Sequence, residues 1–327
     1  MRALLPAGFS RRGFMGYGAA SVACAPQLAK AQTLTTPPPG APPDDAEKIA
    51  AQSDLAKHLT IPVMIGNQGP FRFVVDTGAD RSVIADDVAI RLGLIRGNAV
   101  TVQGVVRSLE TQYVAVADVT IGKSRRVNLK MPVLPRKYLY ADGYLGLDAV
   151  DGYRVTLDFE SGELGLGPPK RRFMYRTRRS NEALVPVSGT MGHLRSLNCR
   201  VDGISTTCFL DTGAEVSLGN SRLLEALEAD NPGYQILGKL PITGITGGSI
   251  VAKVIHVNKI KLHAVNFTDC NLAIADMDVF EVWGLNDEPA LLIGMNFLRQ
   301  FAKVSIDYGA KEIRFDLASM LVARMSS

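Results

Sequence analysis

From Leu59 onward the chain is written in short apolar runs broken by glycine, asparagine or charged pairs, a pattern of strands rather than of helices. Leu59-Thr60-Ile61-Pro62-Val63-Met64-Ile65 and Phe71-Arg72-Phe73-Val74-Val75 flank Gly66-Asn67-Gln68-Gly69, which predicts a β-hairpin. Ala99 to Val106 and Glu110 to Ile121 are β-like on either side of Arg107-Ser108. Leu194 to Arg200 and Ser205 to Leu210 flank Asp202-Gly203, a second hairpin signal. Gly244-Ile245-Thr246-Gly247-Gly248-Ser249 lies between further β-like runs. Helices are predicted for Asp86 to Leu94 and for Ser221 to Asp230. The pattern is all-β with short helices.

The runs also repeat. Phe73-Val74-Val75 leads into Asp76-Thr77-Gly78-Ala79-Asp80, and Cys208-Phe209-Leu210 leads into Asp211-Thr212-Gly213-Ala214-Glu215. Downstream of the first lie Tyr144-Leu145-Gly146-Leu147-Asp148 and Val155-Thr156-Leu157-Asp158-Phe159. Leu292-Ile293-Gly294-Met295-Asn296 and Val304-Ser305-Ile306-Asp307-Tyr308 follow the second. The Asp-Thr-Gly triplets are offset by 135 residues and the closing segments by 149, so the second copy is the longer. A duplicated unit explains this most simply. A carboxylate at a strand end, with glycine two residues later to let the backbone turn, delivers an acid into a cleft. Two such devices imply two acids that face each other.

Composition changes the picture at the N-terminus. The chain has 327 residues, 46% hydrophobic and 21% charged, enough for two cored domains. Residues 1–31 read as a twin-arginine export signal: Ser10-Arg11-Arg12-Gly13-Phe14-Met15, an uncharged stretch to Pro26, then the small-x-small site Ala29-Lys30-Ala31. The expected location is periplasmic or secreted. Its removal takes four of the 36 basic residues and no acid, leaving 32 against 32. A balanced mature chain has no overall field for nucleic acid or anionic lipid. Residues 32–52 read as a Pro-rich spacer, 53–167 as a first lobe, 168–183 as a basic inter-lobe linker and 184–327 as a second lobe.

Other chemistries find little purchase. His58, His193, His256 and His263 form no metal-binding spacing, no Gly-x-Ser-x-Gly elbow occurs, and Trp283 stands alone without a stacking array for nucleic acid. No stable membrane span is expected after signal removal, and no metal. Cys199, Cys208 and Cys270 remain in the mature chain; Cys199 and Cys208 lie on two arms of one predicted hairpin, so a cross-strand disulfide or simple buried thiols are both open.

With its two apolar-Asp-Thr-Gly-Ala-acid segments and two later apolar-apolar-Gly-x-(Asp/Asn) segments, the chain from residue 53 to its end resembles the retropepsin-like aspartic proteases. Retroviral members are similar to one unit and dimerise; this chain resembles a single-chain version, two-lobed as pepsin-like enzymes are. The resemblance implies an all-β bilobal acid-protease fold with a central cleft, a monomer of two pseudo-symmetric lobes, and an aspartic endopeptidase that needs no cofactor. By resemblance Asp76 and Asp211 are the catalytic pair, the Thr77 and Thr212 hydroxyls lock the two loops, and Gly78 and Gly213 permit their close approach. Ala79, Asp80, Gly104, Ala214, Glu215 and Gly244 are the expected substrate contacts, with Gly104 as hinge of a mobile flap. A catalytically silent peptide- or envelope-binding module on the same fold is the competing expectation. Two departures matter. Leu147 and Met295 stand where retroviral members carry an arginine that pairs with the acid of the first motif. Ala79 and Ala214 replace the hydroxyl residues of pepsin-like enzymes, which should leave the acids harder to ionise and give a mildly acidic to near-neutral optimum.

Overall fold

The computed structural model describes residues 17–18, 47–50, 52–53, 59–150, 152–168, 182–186 and 195–317. The twin arginines, most of the Pro-rich spacer and residues 169–181 of the basic linker lie outside the described residues.

The predicted hairpins form because their apolar residues fall on one face. In Gln68–Val75, Phe71 and Phe73 are buried while Arg72 between them is exposed. Each fully buried aromatic of this kind contributes about 2 kcal/mol of hydrophobic stabilisation. Asp202 and Gly203 adopt φ of 45° and 95°, the left-handed turn that joins Arg195–Val201 to Ile204–Leu210. The two helices appear at Asp86–Arg91 and Ser221–Asp230. The second is capped by Asn220, whose side chain accepts from Leu223 N at 3.0 Å and donates to the Leu285 and Glu288 carbonyls.

Each repeat becomes a lobe built on an eight-stranded sheet, and the chain is mostly β. In the first lobe, Leu59–Ile65 pairs with both Gln68–Val75 and Ser108–Ile121, which curls the sheet toward a barrel. In the second, Ser249–Leu262 joins Ile236–Gly244, Val265–Ile274 and Arg195–Val201. Tyr17–Gly18 adds two residues to that sheet, opposite Thr243 and Gly244. In both lobes a short strand runs parallel to the strand ending in the acid: Leu145 lies beside Val75, and Ile293 beside Leu210. These strands fix where each Asp-Thr-Gly turn leaves its sheet, because Asp76 N donates to Leu145 O at 2.9 Å and Asp211 N to Ile293 O at 3.0 Å.

A third sheet, of six strands, joins the lobes. Arg154–Asp158 and Lys303–Asp307 pair antiparallel so that Thr156 faces its own repeat partner, Ser305, with hydroxyls 3.0 Å apart. A pseudo-twofold axis passes between them. Lys303 lies 2.8 Å from Asp158, and the repeat counterparts Arg154 and Asp307 face each other in the same register. The sheet also corrects one expectation. Glu47–Ala50, read as part of a solvated spacer, pairs with Glu163–Gly167, because Glu163–Gly167 otherwise leaves an open edge of backbone donors and acceptors. Among the described residues no helix is long and apolar enough to cross a membrane.

Candidate active site

The two Asp-Thr-Gly turns meet on the pseudo-twofold axis. Thr77 N donates to Thr212 Oγ1 at 3.0 Å, and Thr212 N donates to Thr77 Oγ1 at 3.1 Å. The Thr212 hydroxyl also donates to the Val75 carbonyl at 2.8 Å. These crossed bonds hold the turns at a separation only glycine tolerates. A methyl group on Gly78 would lie 2.8 Å from both Asp211 carboxylate oxygens, and one on Gly213 would lie 2.6 Å from both of Asp76. Each acid is also held from its own side, Asp76 Oδ1 accepting from Gly78 N at 2.9 Å and Asp211 Oδ1 from Gly213 N at 2.8 Å.

Asp76 is fully buried and Asp211 is 3% exposed. Burial pushes the Asp211 carboxyl well above its ordinary range, and the neighbouring Asp76 charge adds to the shift; the Gly213 and Ala214 amides oppose it only in part. The site can therefore hold a proton between two acids at a pH where an exposed carboxyl is ionised.

Beneath each turn lies the same support, undetected in the sequence reading. Asp148 Oδ1 accepts from Ser82 N at 2.7 Å and Ser82 Oγ at 2.6 Å, while Ser82 Oγ accepts from Gly146 N at 3.1 Å. In the second lobe Asn296 Oδ1 accepts from Ser217 N and Oγ at 2.9 and 2.7 Å, and Ser217 Oγ accepts from Gly294 N at 2.9 Å. The signal was present: each serine stands six residues after its acid in both copies. The network ties the Gly-x-(Asp/Asn) segment to the Asp-Thr-Gly turn. Burial raises the Asp148 carboxyl, with the Ser82 hydrogen bonds opposing the shift.

Ala79 and Ala214 are wholly buried, and their carbonyls accept from Leu147 N at 2.9 Å and Met295 N at 2.7 Å. Glu215 is not an open acceptor. Arg299, at the end of the short helix Met295–Leu298, donates to its two carboxylate oxygens at 2.7 and 3.4 Å. The expectation that the family's arginine-acid pair is lost thus needs correction in the second lobe. The missing arginine at Met295 is replaced by one a helical turn later, which reaches back to the same acid.

Above the acids two hairpins meet tip to tip. The first flap is Arg96–Gln103 with Ser108–Ile121, and the second is Ile236–Gly244 with Ser249–Leu262. Their tips are exchanged: Val105 is buried in an apolar cluster with Phe209, Leu240 and Phe280 of the second lobe, and Ile245 in the first-lobe cluster. Thr246 Oγ1 donates to the Arg107 carbonyl at 2.6 Å, and Arg107 Nε donates to the Thr246 carbonyl at 3.0 Å. Gly104 is required by this contact, since a methyl group there would lie 1.9 Å from Thr246 Oγ1. A methyl group on Gly244 would meet Val106 at 3.5 Å, an ordinary contact. The flap tips are joined, and both acids are buried.

Cys199, Cys208 and Cys270 are free buried thiols. Contact with Cys199 and burial hold the Cys208 thiol well above its ordinary range. Among the described residues no His, Cys, Asp and Glu cluster could hold a metal ion.

Two comparisons complete the description. A family model described as "Aspartyl protease" matches residues 61–149 and 197–297, one stretch in each lobe. Comparison with curated proteins gives no match.

Proposed function

Because the chain belongs to the aspartyl protease family, we propose that it is an exported endopeptidase that hydrolyses peptide bonds with water activated between Asp76 and Asp211. The observation that carries this reading is the contact of the two carboxylates across Gly78 and Gly213, locked by the crossed threonine bonds.

Two carboxyls this close cannot both ionise at low cost, so the pair holds one proton, as aspartic-protease dyads do. Burial and the neighbouring carboxylate favour keeping that proton in the pair, and the step is written with it on Asp211. Asp76, ionised, takes a proton from a water bound between the two. The resulting oxygen nucleophile attacks the scissile carbonyl carbon while Asp211 gives its proton to the carbonyl oxygen. The tetrahedral diol then collapses: the amide nitrogen takes the proton held by Asp76, the C–N bond breaks, and a diol proton returns to the pair. Atoms balance as water added across one peptide bond. No covalent intermediate with the protein forms.

With both acids buried under joined flaps, a peptide enters only when the tips part. Gly78 and Gly213 keep the pair close, and Ala79, Asp80, Gly104, Ala214 and Gly244 border the space a peptide fills; Glu215 acts through its pairing with Arg299. Residues 1–31 direct export and are cleaved after Ala31, which places the enzyme in the periplasm or outside the cell. N-terminal sequencing of the protein recovered from that compartment tests this part.

The activity is tested by cleavage of a mixed peptide library by the wild type and by Asp76→Asn, and by binding of an inhibitor that mimics the hydrated peptide. Equal product from both proteins removes the dyad mechanism.

A further inference from the structure

The repeat gives every residue of the cleft a counterpart, so a substrate meets two similar walls unless counterparts differ. Most of those at the acids are alike: Asp and Asp, Thr and Thr, Gly and Gly, Ala and Ala. The first large difference along the catalytic turns is Arg81 in the first lobe against Val216 in the second, related by the same 135 residues as Thr77 and Thr212.

What these two side chains touch also differs. The Arg81 guanidinium lies 5.8 Å from the ring of Tyr113, which stands on the returning strand of the first flap, five residues after Ser108. It thus spans from the catalytic turn to the flap, across one mouth of the cleft. At the same step of the second flap, five residues after Ser249, stands Val254, and both Val216 and Val254 are half-buried against the apolar cluster around Leu218 and Phe280. One mouth presents a cation on an aromatic ring and the other presents two valines.

The charges around Arg81 leave it available. It forms no ion pair with a described residue. Its charge acts on Asp148, yet the Asp148 Oδ1 is already taken by Ser82 and burial disfavours the Asp148 charge. In the other mouth Glu215, the acid next to Val216, is paired with Arg299. Arg107, at the tip of the first flap, also comes from the first lobe, and the second flap tip carries glycines, Gly247 and Gly248, in that place.

We propose that the cleft reads its substrate in one direction, taking an acidic side chain at the Arg81 mouth and an apolar one at the Val216 mouth. The inference rests on the peptidase reading above and adds the substrate's chemistry to it. In an evenly duplicated cleft a peptide binds in either of two orientations with little difference. A carboxylate that can meet a guanidinium at one end alone removes that degeneracy, and the acidic residue falls on one fixed side of the scissile bond.

The test separates binding from turnover. Peptides with both ends capped, carrying Glu or Gln at successive positions on either side of one cleavable bond, are bound to the Asp76→Asn protein and are cut by the wild type. Glu is expected to bind about tenfold more tightly than Gln on one side only, a preference that weakens with salt. Arg81→Leu abolishes the preference, Arg81→Lys keeps most of it, and Arg81→Glu turns it toward Lys. Absence of a one-sided preference, or its survival in Arg81→Leu, overturns the proposal. Peptides bound with the Arg81-dependent preference but never cut by the wild type would support it while defeating the hydrolytic reading.

Discussion

Thr246 and Arg107, 139 residues apart in the chain, exchange two hydrogen bonds where the flap tips meet: hydroxyl to carbonyl at 2.6 Å in one direction, guanidinium to carbonyl at 3.0 Å in the other. A symmetric pair of flaps would make such a contact twice, and here it is made once, between unlike tip residues. The latch belongs to the single-chain form.

Thr246→Val keeps the shape of the side chain and removes its donor, leaving the Arg107 carbonyl short of a partner. The loss should cost the closed state about 1 kcal/mol. Amide exchange at 104–107 and 244–248 should then quicken roughly fivefold, with exchange elsewhere in the lobes unchanged. Gly104→Ala is the harsher change, since its methyl group would overlap Thr246 Oγ1. Its kcat/KM should fall by about a hundredfold or more, while the melting temperature moves little.

The dyad predicts a pH dependence of stability. Asp211 holds its proton more tightly in the folded chain than at the ordinary value of 3.8. Its contribution to stability is therefore complete below about pH 4 and is lost as pH rises through the folded-state value. Asp211→Asn should raise the melting temperature at pH 7 on the order of 3 °C, change it less at pH 4, and abolish cleavage. In the wild type, activity should decline on the alkaline side as the shared proton is lost, from a mildly acidic to near-neutral optimum. A profile peaking near pH 2 would contradict the expectation drawn from Ala79 and Ala214.

Asp148 and Asn296 do the same work in the two lobes with different chemistry. Burial raises the Asp148 carboxyl, so its charged form is the destabilising one, and the same sign holds as for Asp211. Asp148→Asn copies the second lobe. Thermal melts should show it at least as stable as the wild type at pH 7, with no advantage at pH 4. Asn296→Leu strands the buried Ser217 amide and hydroxyl, and denaturant titration should register a loss of about 2–4 kcal/mol.

Arg299 and Glu215 form an ion pair with side chains 26% and 11% exposed. The exposure of Arg299 keeps the pair short of full desolvation, but Glu215 without it is a poorly hydrated charge. Arg299→Ala should destabilise the second lobe by about 2 kcal/mol, and Glu215→Gln in the same background should recover part of the loss. A double-mutant cycle measured by urea unfolding gives the coupling.

Much of the fold was legible because it is local. The alternation in Phe71-Arg72-Phe73, the turn residues Asp202-Gly203 and the polar start of Ser221–Asp230 each encode their element within a few residues. The duplication made Asp76 and Asp211 stand out as counterparts. The role of Arg299 is not legible, because nothing near it in the sequence says that a helix end will turn it toward an acid 84 residues earlier. Glu47–Ala50 reads as spacer because four residues carry too little pattern to announce a strand that exists only as the completion of another's edge.

The order of residues alone set the strand periodicity, the two acid-bearing turns and the glycines that let them turn, since these depend on backbone geometry and side-chain size at neighbouring positions. Folding decided which surfaces meet: the crossed threonines, the exchanged flap tips, the arginine behind Glu215, and the unlike mouths at Arg81 and Val216. Those depend on burial and desolvation between segments far apart in the chain, energies that arise only once the two lobes are built and closed on each other.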